Sequence, residues 1–234
     1  MDKFLEFSTG PLFRFCFSLF ILGLIRLIII TFIDIRRTAS AAGDKSFKYG
    51  QALASTFDWM LPVRQILKTR VFFSLTSFIF HAGLIIVPVF LLEHVLLWKK
   101  GAGVSWPFLN STVSDILTLL TVIAACILLC YRIFSSTRRF ISDRQDYFFL
   151  LLIMIIFVSG FIVPRSYNPL SYQASMLVHV LSGNLLLALI PFTRLSHSVL
   201  YPFIRIASET AWHFQGDAGK KLNKTLYGEE NRKI

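Results

Sequence analysis

The sequence predicts an all-α membrane protein, a five-helix transmembrane bundle with its N-terminus outside and its C-terminus in the cytoplasm. Three observations lead there. Hydrophobic residues fill 55% of the 234 positions, 24 of them Phe, and mean hydropathy is +0.63. Charged residues make up only 16%, where a soluble domain carries about 25%. The apolar residues gather into five runs, at 12–33, 71–98, 112–134, 147–163 and 172–193. A hydrocarbon core of about 30 Å needs roughly 20 helical residues; the shortest run still falls in the usual range of about 17–25.

The run 12–33 contains Arg14 and Arg26 and is too long for the apolar part of a signal peptide. It ends in Ile33-Asp34-Ile35-Arg36-Arg37, with no small-residue cleavage site, so it reads as a retained first helix. In the polar, basic connection 34–70, Pro62 is expected to break any short interfacial helix. Pro88 lies inside the run 71–98 and predicts a kink or local rewinding there. The connection that follows holds Gly101, Gly103, Trp106 and Pro107, and Trp98 and Trp106 suit the headgroup belt. Asp115 and Asp146, near the starts of the third and fourth runs, read as caps or dipole partners. After the fifth run, 199–212 is apolar and basic and reads as an interfacial helix. The expected division is a membrane domain over 1–205 and a cytoplasmic tail over 206–234.

Basic residues set the orientation. Most of the 24 Lys and Arg fall in 34–70, in 132–144 and from Arg194 onward; Lys3, Arg14, Lys99, Lys100 and Arg165 lie on the other side. The positive-inside rule therefore places the C-terminus in the cytoplasm. This asymmetry and anionic lipid headgroups account for the net charge of +11, with no need for nucleic acid. Cys16, Cys126 and Cys130 form neither CxxCH nor ferredoxin spacing, so covalent haem attachment is excluded and any iron–sulfur cluster belongs to a partner. Cys126 and Cys130, four apart on one helix face, read as small buried hydrophobes.

Ionisable groups are costly in hydrocarbon and mark function there. His81 and His94 share the second run, and His179 and His197 bracket the end of the fifth. On one continuous helix, 18 residues are five whole turns, so His179 and His197 would face the same way about 27 Å apart. His81 and His94 would be about 140° out of phase unless Pro88 rewinds the helix. Because the second and fifth helices run antiparallel, His81 shares the cytoplasmic depth with His197, and His94 the outer depth with His179. Two such pairs meet the ligand requirement of two b haems: His81 with His197, and His94 with His179. His213 reads as an ordinary tail residue.

The run His179-Val-Leu-Ser-Gly-Asn, closing in Pro191-Phe192-Thr193-Arg194-Leu195-Ser196-His197, resembles the fifth helix of the gamma, cytochrome b, subunit of respiratory nitrate reductases. Phe80-His81-Ala82-Gly83 and Phe20-Ile21-Leu22-Gly23-Leu24-Ile25-Arg26 are similar too. The ten-residue ligand spacing of that family's second helix is missing, since position 91 is Leu. With Pro88 and Glu93-His94-Val95-Leu96-Leu97-Trp98, the chain more closely resembles the gamma-type cytochrome b subunits of sulfate-reducer transmembrane redox complexes. The resemblance covers roughly residues 10–205.

It implies a di-haem b anchor in the cytoplasmic membrane of a bacterium or archaeon. Such an anchor moves electrons between menaquinone or menaquinol and a cytoplasmic iron–sulfur subunit, or a periplasmic multihaem cytochrome c or second membrane subunit. It also implies a quinone site beside the outer haem, where Glu93, His94, Trp98, Lys99 and Lys100 lie; snorkelling lysines and an interfacial Trp explain the same residues. Arg26 and Arg194 could bind haem propionates, with a positive-inside anchor the alternative for Arg194. Gly83 and Gly183 could admit a porphyrin or serve helix packing. A proton- or ion-transporting histidine relay and a haem-less structural anchor are the competing functions. Few membrane carboxylates, and no pair of broken-helix repeats, count against the transporter.

Overall fold

Hydrocarbon-length apolar runs become helices, because a chain in lipid must satisfy its backbone polar groups internally. A computed structural model describes residues 1–42, 50, 54, 71–211, 224–225 and 228. Among these the chain is helical, with no strand. In order come α1 (Asp2–Phe7), a π-helical turn (Ser8–Leu12), α2 (Phe13–Ala42), α3 (Val71–Phe90), α4 (Leu92–Ala102), α5 (Ser111–Phe134) and α6 (Ser136–Ile141). Next are α7 (Arg144–Ile162), α8 (Tyr172–Leu189), two 3-10 turns (Ile190–Phe192 and Arg194–Ser196) and α9 (His197–Ala211). Among the described residues, five stretches are long and apolar enough to cross a membrane: Asp2–Arg37, Val71–Phe90, Ser111–Phe134, Arg144–Ile162 and Tyr172–Phe192. These mark a multi-pass membrane protein. The expected break at Pro62 and most of the tail, His213 included, lie outside the described residues.

Two compact units divide the chain. The first comprises Met1–Phe17 and Arg64–Ala188. Its core is built by Phe80 and Val87 of α3, Ala124 and Ala125 of α5, and Leu150, Ile153 and Phe157 of α7. Small residues let these helices close up. A Cβ on Gly83 would lie 1.7 Å from Thr121 Oγ1, so α3 and α5 touch backbone to side chain at that level. Five buried hydroxyls are satisfied within their own helices: Thr76, Thr118, Thr121, Ser159 and Ser182 each donate to a carbonyl four residues back, whereas buried Ser114 Oγ has no hydrogen-bond partner among the described residues.

Polar pairs pin the ends of α5 and α7. Asp143 and Asp146 form a capping box at the start of α7, and Arg132 reaches Asp146 at 3.4 Å. Asp146 thus takes the expected capping role. Asp115 does not: Asn110 caps α5, accepting from the Thr112 N–H at 2.9 Å, while Asp115 pairs with Arg165 at 2.6 Å. Arg165 also donates to the Phe161 carbonyl and lies over the Phe161 ring. Pro11 has no N–H and so interrupts the first helix's ladder, giving the π turn. Buried Asn184 of α8 donates to the Ser8 carbonyl there at 2.9 Å, satisfying both groups. Cys16 is buried, but Cys126 and Cys130 are exposed, contrary to expectation; the core face of α5 runs through Thr121, Ala124 and Ala125 instead.

The second unit comprises Ser18–Val63 and Leu189–Ile234. Gly23 admits Pro191: a Cβ at position 23 would sit 2.5 Å from the Pro191 Cβ. Leu24, Leu200 and Pro191 are buried. The segment expected to lie at the interface is helical, as α9.

Two helix expectations need correction. The run 71–98 is not one kinked helix: it stops at Phe90 and restarts at Leu92, with Leu91 extended at φ −66°, ψ 132°. The fifth helix ends at Leu189 and gives way to two 3-10 turns around an extended Thr193 (φ −133°, ψ 178°). His179 and His197 therefore do not share one unbroken helix, and the five-turn phase relation does not hold; Pro191 starts the change of path.

Candidate cofactor site

The site begins with the break in the second span. Ending α3 at Phe90 frees carbonyls that an unbroken helix would occupy, and each finds a donor. Pro88 accepts from His94 Nδ1 at 2.8 Å, Val89 from Trp106 Nε1 at 2.9 Å, and Phe90 from the Leu109 N–H at 2.9 Å. The break is therefore a built feature, satisfied as backbone at membrane depth must be. It fixes His94 in the first turn of α4. At the other end of α4, Gly103 takes a left-handed conformation (φ 71°) and its N–H bonds the Lys99 carbonyl at 3.1 Å.

His179 projects from α8 against α7. Its Nδ1 donates to the Ile156 carbonyl at 3.0 Å, and Ser159 Oγ lies 3.4 Å away. Gly160 seats the ring: a Cβ there would lie 2.7 Å from His179 Cε1 and 3.0 Å from Nδ1. The rings of His94 and His179 face each other with centroids 6.2 Å apart and planes 24° apart.

Two imidazoles this close could both bear on one bound metal-centred cofactor. Their hydrogen bonds favour such a role. A carbonyl can only accept, so Nδ1 carries a proton in both rings, which leaves Nε2 as the nitrogen that could ligate. Metal-ligating histidines commonly tie their second nitrogen to a backbone carbonyl in this way. In donor chemistry, His94 and His179 are the pair that would hold such a group.

His81 and His197 share the tautomer but belong to different units. His81 is exposed on α3, with Nδ1 donating to the Ser77 carbonyl at 2.7 Å and the ring edge-on to Phe80. His197, exposed at the start of α9, donates from Nδ1 to the Arg194 carbonyl at 2.5 Å. Thus all four histidines present Nε2 as the available nitrogen.

The remaining expected residues divide by position. Arg26 is exposed on α2, not buried beside a partner, and Arg194 is exposed in the 3-10 turn whose carbonyl holds His197. Gly83 is filled over by Thr121 and serves helix packing, whereas a Cβ on half-buried Gly183 would meet nothing within 4 Å. Glu93, Trp98 and Lys99 are exposed on α4 with His94. The Trp98 ring meets Phe17 edge-on at 5.3 Å and lies 6.2 Å from Trp106.

Sequence reasoning missed the α7 side of the site: the Ile156 carbonyl, Ser159 and Gly160. The signal available was a Ser-Gly pair inside an apolar run, which reads equally as packing. Gly160→Ala is expected to destabilise the chain by about 1–3 kcal/mol, since its methyl overlaps the imidazole. Thermal unfolding in detergent measures this, and the penalty should disappear in a His179→Ala background. An equal penalty with and without the His179 ring would contradict the seating.

No family model matches the chain, and no solved structure matches it. It is similar to a protein of Nitratidesulfovibrio vulgaris (strain Hildenborough) whose name, "Protein", states no activity. The two are 32% identical over 151 residues, covering 64% of this chain and 66% of that one, just short of two thirds of its length.

Proposed function

We propose that the chain is a di-haem b membrane anchor subunit of a respiratory redox complex, carrying electrons across the membrane between menaquinone or menaquinol and iron–sulfur or cytochrome c partners. The observation that supports it best is the facing pair His94–His179, with each Nδ1 tied to a carbonyl. When bound, haem b supplies reversible one-electron chemistry, while the protein sets ligand, burial and hydrogen bonding.

In this reading His94 and His179 hold the outer cofactor, and His81 and His197 the one nearer the cytoplasm. The carbonyl bonds hold each imidazole in one orientation. Arg26 and Arg194 supply positive charge for propionates, and Gly183 leaves backbone open to the porphyrin edge. Glu93 and Lys99 are the proton and hydrogen-bond partners offered to a quinone oxygen. Trp98, braced by Phe17, gives an apolar wall next to them.

Orientation follows the charge asymmetry: N-terminus outside, C-terminus cytoplasmic, in the cytoplasmic membrane of a bacterium or archaeon. The polar stretches 34–70 and 206–234 then offer the cytoplasmic face on which an iron–sulfur subunit docks. The outer loops leave room for a periplasmic cytochrome or a second membrane subunit. Purification in mild detergent should recover the chain with at least one iron–sulfur protein. A stable monomer that oxidises menaquinol with no co-purifying redox protein would refute the anchor role.

A further inference from the structure

The short helix α6 is turned inside out for a water-facing element. Its inward residue is a cation: the Arg138 guanidinium lies 3.5 Å from the Phe73 ring centroid and 5.6 Å from that of Tyr131. These contacts tie α6 to the start of α3 and the end of α5. Successive helical residues turn by about 100°, so Phe140, two residues on, faces away from the side that Arg138 anchors. Phe140 is 90% exposed, Ile141 71%, and Phe134, just before the helix, 82%. On a soluble surface helix the aromatic would point inward and the arginine outward.

What covers this apolar trio follows from where the chain holds it. The preceding α5 and following α7 are both membrane-spanning, and both end at this connection. The element is therefore tethered at the level where bilayer meets water. Exposed Arg139 and Arg144 flank the apolar side chains, while Arg132 is engaged with Asp146. Apolar side chains beside free-facing guanidinium groups, at that depth, complement acyl chains beneath phosphates. A protein partner could meet the arginines, but only the bilayer brings both chemistries to this level by virtue of the flanking spans.

We propose that the α5–α7 connection is a lipid-surface anchor: Phe134, Phe140 and Ile141 insert at the acyl boundary, and Arg139 and Arg144 bind the phosphates of anionic phospholipids. This inference is independent of any cofactor.

The test uses the full chain in phosphatidylethanolamine–phosphatidylglycerol vesicles, with Cys16, Cys126 and Cys130 replaced by Ala and a nitroxide on Phe140→Cys. Collisions with dissolved oxygen should exceed those with a water-soluble nickel chelate. A label reached mainly by the chelate would overturn insertion. So would a label shielded from both, which is the signature of a protein contact. In a second measurement with the native cysteines kept, the Arg139→Gln/Arg144→Gln double variant should retain several-fold less phosphatidylglycerol relative to phosphatidylethanolamine on purification. Unchanged lipid retention would overturn the headgroup assignment, and this arm stands even where the cysteine-free chain fails to fold.

Discussion

Replacing His179 with alanine is expected to halve the haem content of the purified chain, from two groups to one, and leave the remaining group's spectrum unaltered. The ring is one of two neighbouring imidazoles, and His94 alone would offer a single ligating nitrogen. The fold should tolerate the change. His179 is only half-buried, Ser159 keeps its own bond to the Ile155 carbonyl at 2.6 Å, and alanine favours the helix. His94→Ala should give the same count, because it empties the same site from the other side. Replacing His213, which was read as a tail residue, should change nothing. Metal analysis and pyridine haemochrome absorbance distinguish these outcomes. Loss of both groups from His179→Ala, with helicity intact, would mean that the four histidines do not form two independent sites.

Gly83→Ala is expected to be the most damaging single-methyl change in the first unit. The added carbon would lie 1.7 Å from Thr121 Oγ1 and 3.0 Å from its Cβ. Thr121 cannot swing aside cheaply. It is β-branched, 1% exposed, and bonded to the Leu117 carbonyl at 2.6 Å. The helices must separate, at an overpacking cost of about 1–3 kcal/mol, with about 1 kcal/mol more where the hydroxyl loses its bond. The thermal midpoint in detergent should fall accordingly, and Thr121→Ala in the same chain should restore part of the loss by removing Oγ1. An unchanged midpoint, or a loss that Thr121→Ala does not relieve, would contradict the α3–α5 contact.

The spans were legible because hydrocarbon thickness constrains sequence directly: about 20 apolar residues and few charges leave no other regular structure. The interruptions were harder to read. Pro88 predicts a disturbance, yet the same residue allows a kink or a full break. What decides for the break is Trp106 and Leu109 arriving from a later loop to take the Val89 and Phe90 carbonyls. Likewise Pro191 is visible in the sequence, but the sequence does not say that α8 stops at Leu189 and so removes any fixed helical phase between His179 and His197. The donor His94 and its partner His179 were legible from cost alone, since an imidazole in an apolar run needs a reason. Gly160 was not, because a glycine that seats a ring has the same letter as one that admits a neighbouring helix. Gly83 illustrates the second case: it lies two residues after a histidine, and its space belongs to Thr121.

The central claim is that the purified wild-type chain holds two b haems through four histidines. The most direct measurement is a pyridine haemochrome assay on protein quantified by amino-acid analysis, together with a reduced-minus-oxidised optical spectrum. Two haems per chain are expected, with b-type difference bands that disappear when all four histidines are replaced. One haem per chain, or none, would contradict it.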